Sequence, residues 1–144
     1  MMIKLIQVFC LVISVPVFAQ KCDLVKIEVY CASRNIATFS DVSCSRFDSS
    51  FSGSKTLFTI TNSDTLRLVA DRLTNLKYKK KSFPIDVRAK MKIYYLDGTV
   101  TEICSSKFNI VVVNGRNVKP NTKLNSLINY YWEISGVDHF KKQK

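Results

Sequence analysis

The sequence predicts an α+β fold: an antiparallel sheet, a meander of about five to six strands, with one or two amphipathic helices packed on one face. Three observations carry that prediction. Segments around 24–30 and 85–96 alternate apolar and polar residues with period two, as half-buried strands do. Two Asx-Gly pairs, Asp97-Gly98 and Asn114-Gly115, sit between strand-like runs and suit tight hairpin turns. Two stretches, after Asp64 and after Thr122, place apolar residues at spacings of three and four.

In chain order, the first strand is Leu24 to Tyr30, with Val25, Ile27 and Val29 on one face and Lys26, Glu28 and Tyr30 on the other. Ser45 to Ser54 is serine-rich and contains Gly53, so it reads as a loop. Lys55 to Thr61 resumes strand character. Thr61-Asn62-Ser63-Asp64 supplies candidate N-caps for a helix whose stripe is Leu66, Val69, Ala70, Leu73 and Leu76. Lys77, Lys79, Lys80 and Lys81 follow it, where cations complement the negative pole of a helix.

Pro84 opens the long strand, in which Ile85, Val87, Ala89, Met91, Ile93 and Tyr95 alternate with Asp86, Arg88, Lys90, Lys92, Tyr94 and Leu96. A two-residue type I′ turn at Asp97-Gly98 would set Tyr95 opposite Val100, Ile93 opposite Glu102 and Met91 opposite Cys104. Glu102 is out of place on an apolar face, so that register carries its own objection. Phe108 to Val113 and Arg116 to Val118 complete the meander. A closing helix begins at Asn121 or Thr122, with Leu124, Leu127, Ile128 and Tyr131 inward.

Residues 1–19 have the order of a cleavable secretory signal: Lys4, the apolar stretch Leu5 to Val15, then Pro16-Val17-Phe18-Ala19. The apolar run is shorter than the roughly 20 residues that span a bilayer, so no integral membrane segment is expected after cleavage. The expected organisation is a signal over 1–19, a single domain over 20–135 and a basic flexible tail over 136–144. The expected location is extracytoplasmic, secreted or periplasmic.

Of five cysteines, Cys10 belongs to the signal, leaving Cys22, Cys31, Cys44 and Cys104 as disulfide candidates. Cys22 and Cys31 at the two ends of one strand would stand about 30 Å apart at ~3.3 Å per residue. They should therefore not pair with each other. Two crosswise bridges, or a single Cys44 to Cys104 bridge, remain open. No metal site is expected, since no Cys-x-x-Cys spacing exists.

The 144-residue chain has a formal net charge of +11, Lys4 of the signal included. Such an excess attracts polyanions without specifying a fold. Arg88, Lys90, Lys92 and Tyr94, at period two on one strand face and joined by Thr101 and Ile103, are the binding candidates: cations interleaved with an aromatic suit an acidic polymer. Tyr130-Tyr131-Trp132 is a second contact candidate. Catalytic equipment is sparse, with His139 the one histidine and near the C-terminus, so no catalytic residue and no cofactor is expected. The reading is a small, basic, non-enzymatic binding or interaction domain for an acidic partner. Such a partner is a polyanion, an anionic membrane surface or an extracytoplasmic protein. The competing readings are a protease-inhibitor-like module and a secreted hydrolase using paired carboxylates.

Overall fold

The computed structural model describes residues 23–137. The signal, Cys22 and residues 138–144 of the expected tail lie outside them. Six strands form one antiparallel sheet: β1 (Leu24–Ala32), β2 (Lys55–Ile60), β3 (Val87–Tyr95), β4 (Val100–Ser106), β5 (Val111–Val113) and β6 (Arg116–Asn117), in the spatial order β2-β1-β3-β4-β5-β6. Three helices accompany it: α1 (Phe47–Ser50), α2 (Ser63–Leu73) and α3 (Thr122–Ser135). The fold is α+β, as the periodicities require.

Asn62 caps α2, its side chain accepting from the Asp64 and Thr65 amides at 3.1 Å, and Asn121 caps α3 through the Leu124 amide at 3.0 Å. Gly136 ends α3 in the left-handed region at φ 64°. Val137, at the start of the expected tail, packs against the core. Leu66 and Val69 of α2 and Leu124, Leu127, Ile128, Tyr131 and Trp132 of α3 cover one face of the sheet, meeting Ile27, Val29, Met91, Ile93, Ile103 and Val113. The Trp132 Nε1 donates to the Ala32 carbonyl at 2.8 Å and ties α3 to β1. Tyr130 is exposed, so the expected aromatic contact patch is divided between core and surface.

The opposite face is not left to solvent. The serine-rich segment, expected to be a loop, contains α1, and its Phe47 and Phe51 are buried against Ala32, Val87, Cys104 and Val112. Two apolar residues four apart are enough to seat one helical turn, a pattern the surrounding serines obscure.

The β3–β4 register differs by one residue from the type I′ expectation. Tyr94 faces Val100, Lys92 faces Glu102, Met91 faces Ile103 and Lys90 faces Cys104. The turn has three residues, not two. Gly98 donates to the Tyr95 carbonyl, the Tyr95 amide donates to the Thr99 carbonyl, and only Gly98 has positive φ, at 83°. A type I turn followed by a left-handed glycine is the three-residue hairpin. Asp97 favours it by accepting from both the amide and the hydroxyl of Thr99. The shift moves Glu102 and Cys104 onto the charged face and Ile103 into the core, which removes the objection to Glu102. Asn114-Gly115, with φ of 45° and 80°, keeps the expected type I′ geometry.

Candidate polyanion-binding surface

Arg88, Lys90, Lys92 and Tyr94 do lie along β3, but they do not form a free basic face. Arg88 is 2% exposed and Lys90 4%. A register shift between Val87 and Ala89 lets Val87 and Arg88 both face the α1 side, as bulged residues do. Arg88 grips Asp86 through both terminal nitrogens, at 2.8 and 2.7 Å. It also donates to the Ile36 carbonyl and the Thr38 hydroxyl, so the guanidinium fastens segment 33–42 to the sheet. Lys90 spends its three ammonium protons on Glu102 at 2.8 Å, Asp48 at 3.1 Å and the Cys44 carbonyl at 3.2 Å. Burial alone would lower its pKa, but the two carboxylates outweigh that and raise it.

Further along the face, Glu28 accepts from Lys26 at 2.8 Å, Tyr94 at 2.7 Å and Tyr30 at 2.9 Å. Those bonds, Lys26 first, hold the carboxyl down at about 2. Tyr30 is pushed up to about 12 by burial and by its bond to Glu28; Tyr94 reaches about 12 through its bond to Glu28 and burial. Asp48 accepts from Lys55 at 2.7 Å as well as Lys90, which overcomes its own desolvation and lowers it to about 2. Lys92 lies 3.6 Å from Asp48, with Tyr30 beside it. Acids and bases on this face answer one another, and little charge is left for a ligand.

The excess positive charge sits elsewhere. Lys77, Lys79, Lys80 and Lys81 are not the end of a helix: α2 stops at Leu73, and the lysines run along the edge of β6. The Lys79 amide donates to the Asn117 carbonyl at 2.8 Å, the Lys119 amide to the Lys77 carbonyl at 2.7 Å, and Tyr78 bridges Val118. The Asn117 side chain, fully buried, receives the Phe83 amide. Arg116 lies over the Tyr78 ring at 4.5 Å, and Arg72 donates to the Lys123 carbonyl at 3.2 Å.

Two segments thereby meet, residues 72–85 and 103–132, and neither contains a single Asp or Glu. Their meeting gathers Arg72, Lys77, Lys79, Lys80, Lys81, Arg116, Lys119 and Lys123. Among the described residues none of these eight takes part in an ion pair. The signal for this edge was present in the sequence as two long acid-free stretches; that they adjoin follows only from the pairing of 77–79 with 117–119.

Cys44 and Cys104 form a disulfide with a Cα separation of 5.9 Å, which excludes both crosswise pairings to the N-terminal cysteines. Cys31 is buried in the helix-covered core, and Cys22 falls outside the described residues. The Cys44, Cys104 and Glu102 ligand atoms lie within 4.8 Å of one another. With the sulfurs bonded to each other, no thiolate is offered to a metal. Among the described residues no helix is long and apolar enough to cross a membrane.

Ser82-Phe83-Pro84-Ile85 and Ser43-Cys44 line an open groove of about 310 Å³, together with Val87, Val112 and Gly115. No protein-family description, curated protein or solved structure matches the chain.

Proposed function

We propose that the protein is a small extracytoplasmic, non-enzymatic binding domain that holds a polyanion along the β6 edge. One observation carries the reading: two joined acid-free segments carry nine of the chain's 22 Lys and Arg, all but Lys107 among the eight cations named above. Fixed charges of one sign raise the local concentration of an oppositely charged polymer and release its counterions on contact. The signal-like residues 1–19 and the Cys44–Cys104 bridge support an oxidising destination outside the cytoplasm. Paired-carboxylate hydrolysis is less well supported. Asp48 and Glu102 share the Lys90 ammonium, and Asp48 is held at about 2, whereas a general acid is tuned upward.

The test is binding of the chain from residue 20 onward to inorganic polyphosphate across a salt series. Affinity should fall roughly a thousandfold between about 50 and 200 mM salt. Replacing Lys80, Lys81 and Arg116 together by alanine should lower the slope of log affinity against log salt by roughly two to three. Arg67→Ala, which removes one exposed charge from α2 away from this edge, serves as the control. Absence of binding at low salt, or equal losses in the triple variant and the control, refutes the reading.

A further inference from the structure

The basic edge is bordered by an apolar recess. Phe83, Pro84, Ile85, Val87 and Val112 supply its apolar lining. Phe83 is 41% exposed, and Lys79 Nζ stands 4.7 Å from its ring centre. Lys79 therefore stands beside the groove, and Lys80 and Lys81 directly precede Ser82 of its lining in the chain, whereas Arg116, paired with Val113, projects on the helix-covered side. Near Ser43 and Cys44, Arg46 donates to the Asp41 backbone carbonyl at 2.6 Å.

We infer that this combination takes an anionic membrane lipid, its headgroup phosphate on Lys79, Lys80 and Lys81 and an acyl chain in the groove. The inference rests on the polyanion reading of the same edge and narrows the partner. A linear polyanion would use the cations and leave the groove idle. An amphiphile uses both, because an anionic headgroup and an apolar tail are joined at the spacing of one residue, as Lys81 and Phe83 are. The groove volume lies at the lower end of the roughly 300–1,000 Å³ that hold small ligands, which suits a single chain. Juxtaposed cations and an exposed aromatic also match a bilayer surface, where basic residues meet headgroups and an aromatic ring enters the interface.

The test compares phosphatidylcholine vesicles with vesicles of phosphatidylcholine and phosphatidylglycerol, with inorganic polyphosphate run in parallel. The protein should bind the anionic vesicles and spare the neutral ones. Phe83→Ser should weaken vesicle binding about tenfold and leave polyphosphate affinity unchanged. Phe83→Leu should restore vesicle binding, which separates lost apolar contact from damage to segment 77–84. Vesicle binding should also keep a salt-resistant component that polyphosphate binding lacks. Polyphosphate bound while anionic vesicles are ignored, or Phe83→Ser equal to wild type on vesicles, overturns the lipid assignment and leaves the polyanion reading in place. Loss of neither ligand in the Lys80, Lys81, Arg116 variant overturns both.

Discussion

Glu28 is the residue on which the polar half of the sheet converges, and its three donors make its effect measurable. Its folded pKa of about 2 lies below the ordinary carboxyl value of 4.5. The stabilisation is therefore fully present above about pH 4.5 and lost as pH falls toward 2, with Asp48 acting in the same window from 3.8. Denaturant midpoints measured from pH 6 to 2 should fall, and Glu28→Gln should flatten that fall and cost about 1–2 kcal/mol at neutral pH. The tyrosines behave with the opposite sign. Tyr30 and Tyr94, held protonated to about 12, stabilise the fold below the usual phenol value of 10, and that contribution is lost as pH rises through 12. Near-ultraviolet absorbance titration should show Tyr30 and Tyr94 ionising late, with Tyr131 also delayed by burial, and Glu28→Gln should bring Tyr30 and Tyr94 earlier. Arg88 shows how misleading an isolated residue is. By sequence it is a cation on a polar face, yet removing it should cost about 3–5 kcal/mol by leaving Asp86 with the Val42 amide but no cation and by taking a donor from two carbonyls, and should not change the salt slope of polyphosphate binding.

At the scale of elements, the strap 77–84 is decisive, because it covers the β6 edge and carries the lysines. Its anchor is Asn117, which uses its carbonyl, its amide and its side-chain oxygen on Lys79, Ser82 and Phe83. Asn117→Ala should cost about 1–3 kcal/mol and loosen the strap, seen as faster amide exchange at Lys79 and Phe83 and reduced polyphosphate affinity without any loss of charge. The strands and the two longer helices were legible from periodicity, and the caps Asn62 and Asn121 fall within the candidates Thr61 to Asp64 and Asn121 or Thr122, though α2 stops at Leu73, short of Leu76. The hairpin register was not. Asp97-Gly98 fits a two-residue or a three-residue turn equally well in sequence, and only the placement of Glu102 against the Lys90 ammonium decides between them. Helix α1 was hidden for a similar reason: a single turn has too few residues to show a period, and its burial comes from Val87, Cys104 and Val112 far along the chain.

Across the whole molecule, the Cys44–Cys104 bridge closes a span of 60 residues and holds the α1 segment over Arg88 and Lys90. Its removal by Cys44→Ala with Cys104→Ala should lower stability by about 2–4 kcal/mol in denaturant melts, through the larger entropy of the open unfolded chain. The sequence by itself determined the α+β class, the alternation of the strands, the helix caps, the glycine turn at 115 and the sign and size of the net charge. These depend on neighbours within a few residues, where backbone sterics and period do not need the rest of the fold. Tertiary structure alone decided where that charge is available. Arg88, Lys90 and Lys92 meet Asp86, Asp48 and Glu102 brought from other segments and are neutralised there. The lysines after α2 meet instead a second stretch without acids and form no ion pair among the described residues. Coulombic pairing acts over a few ångströms of space and takes no account of distance along the chain, so the cations outside ion pairs, and with them the proposed site, lie at the β6 edge and not on β3.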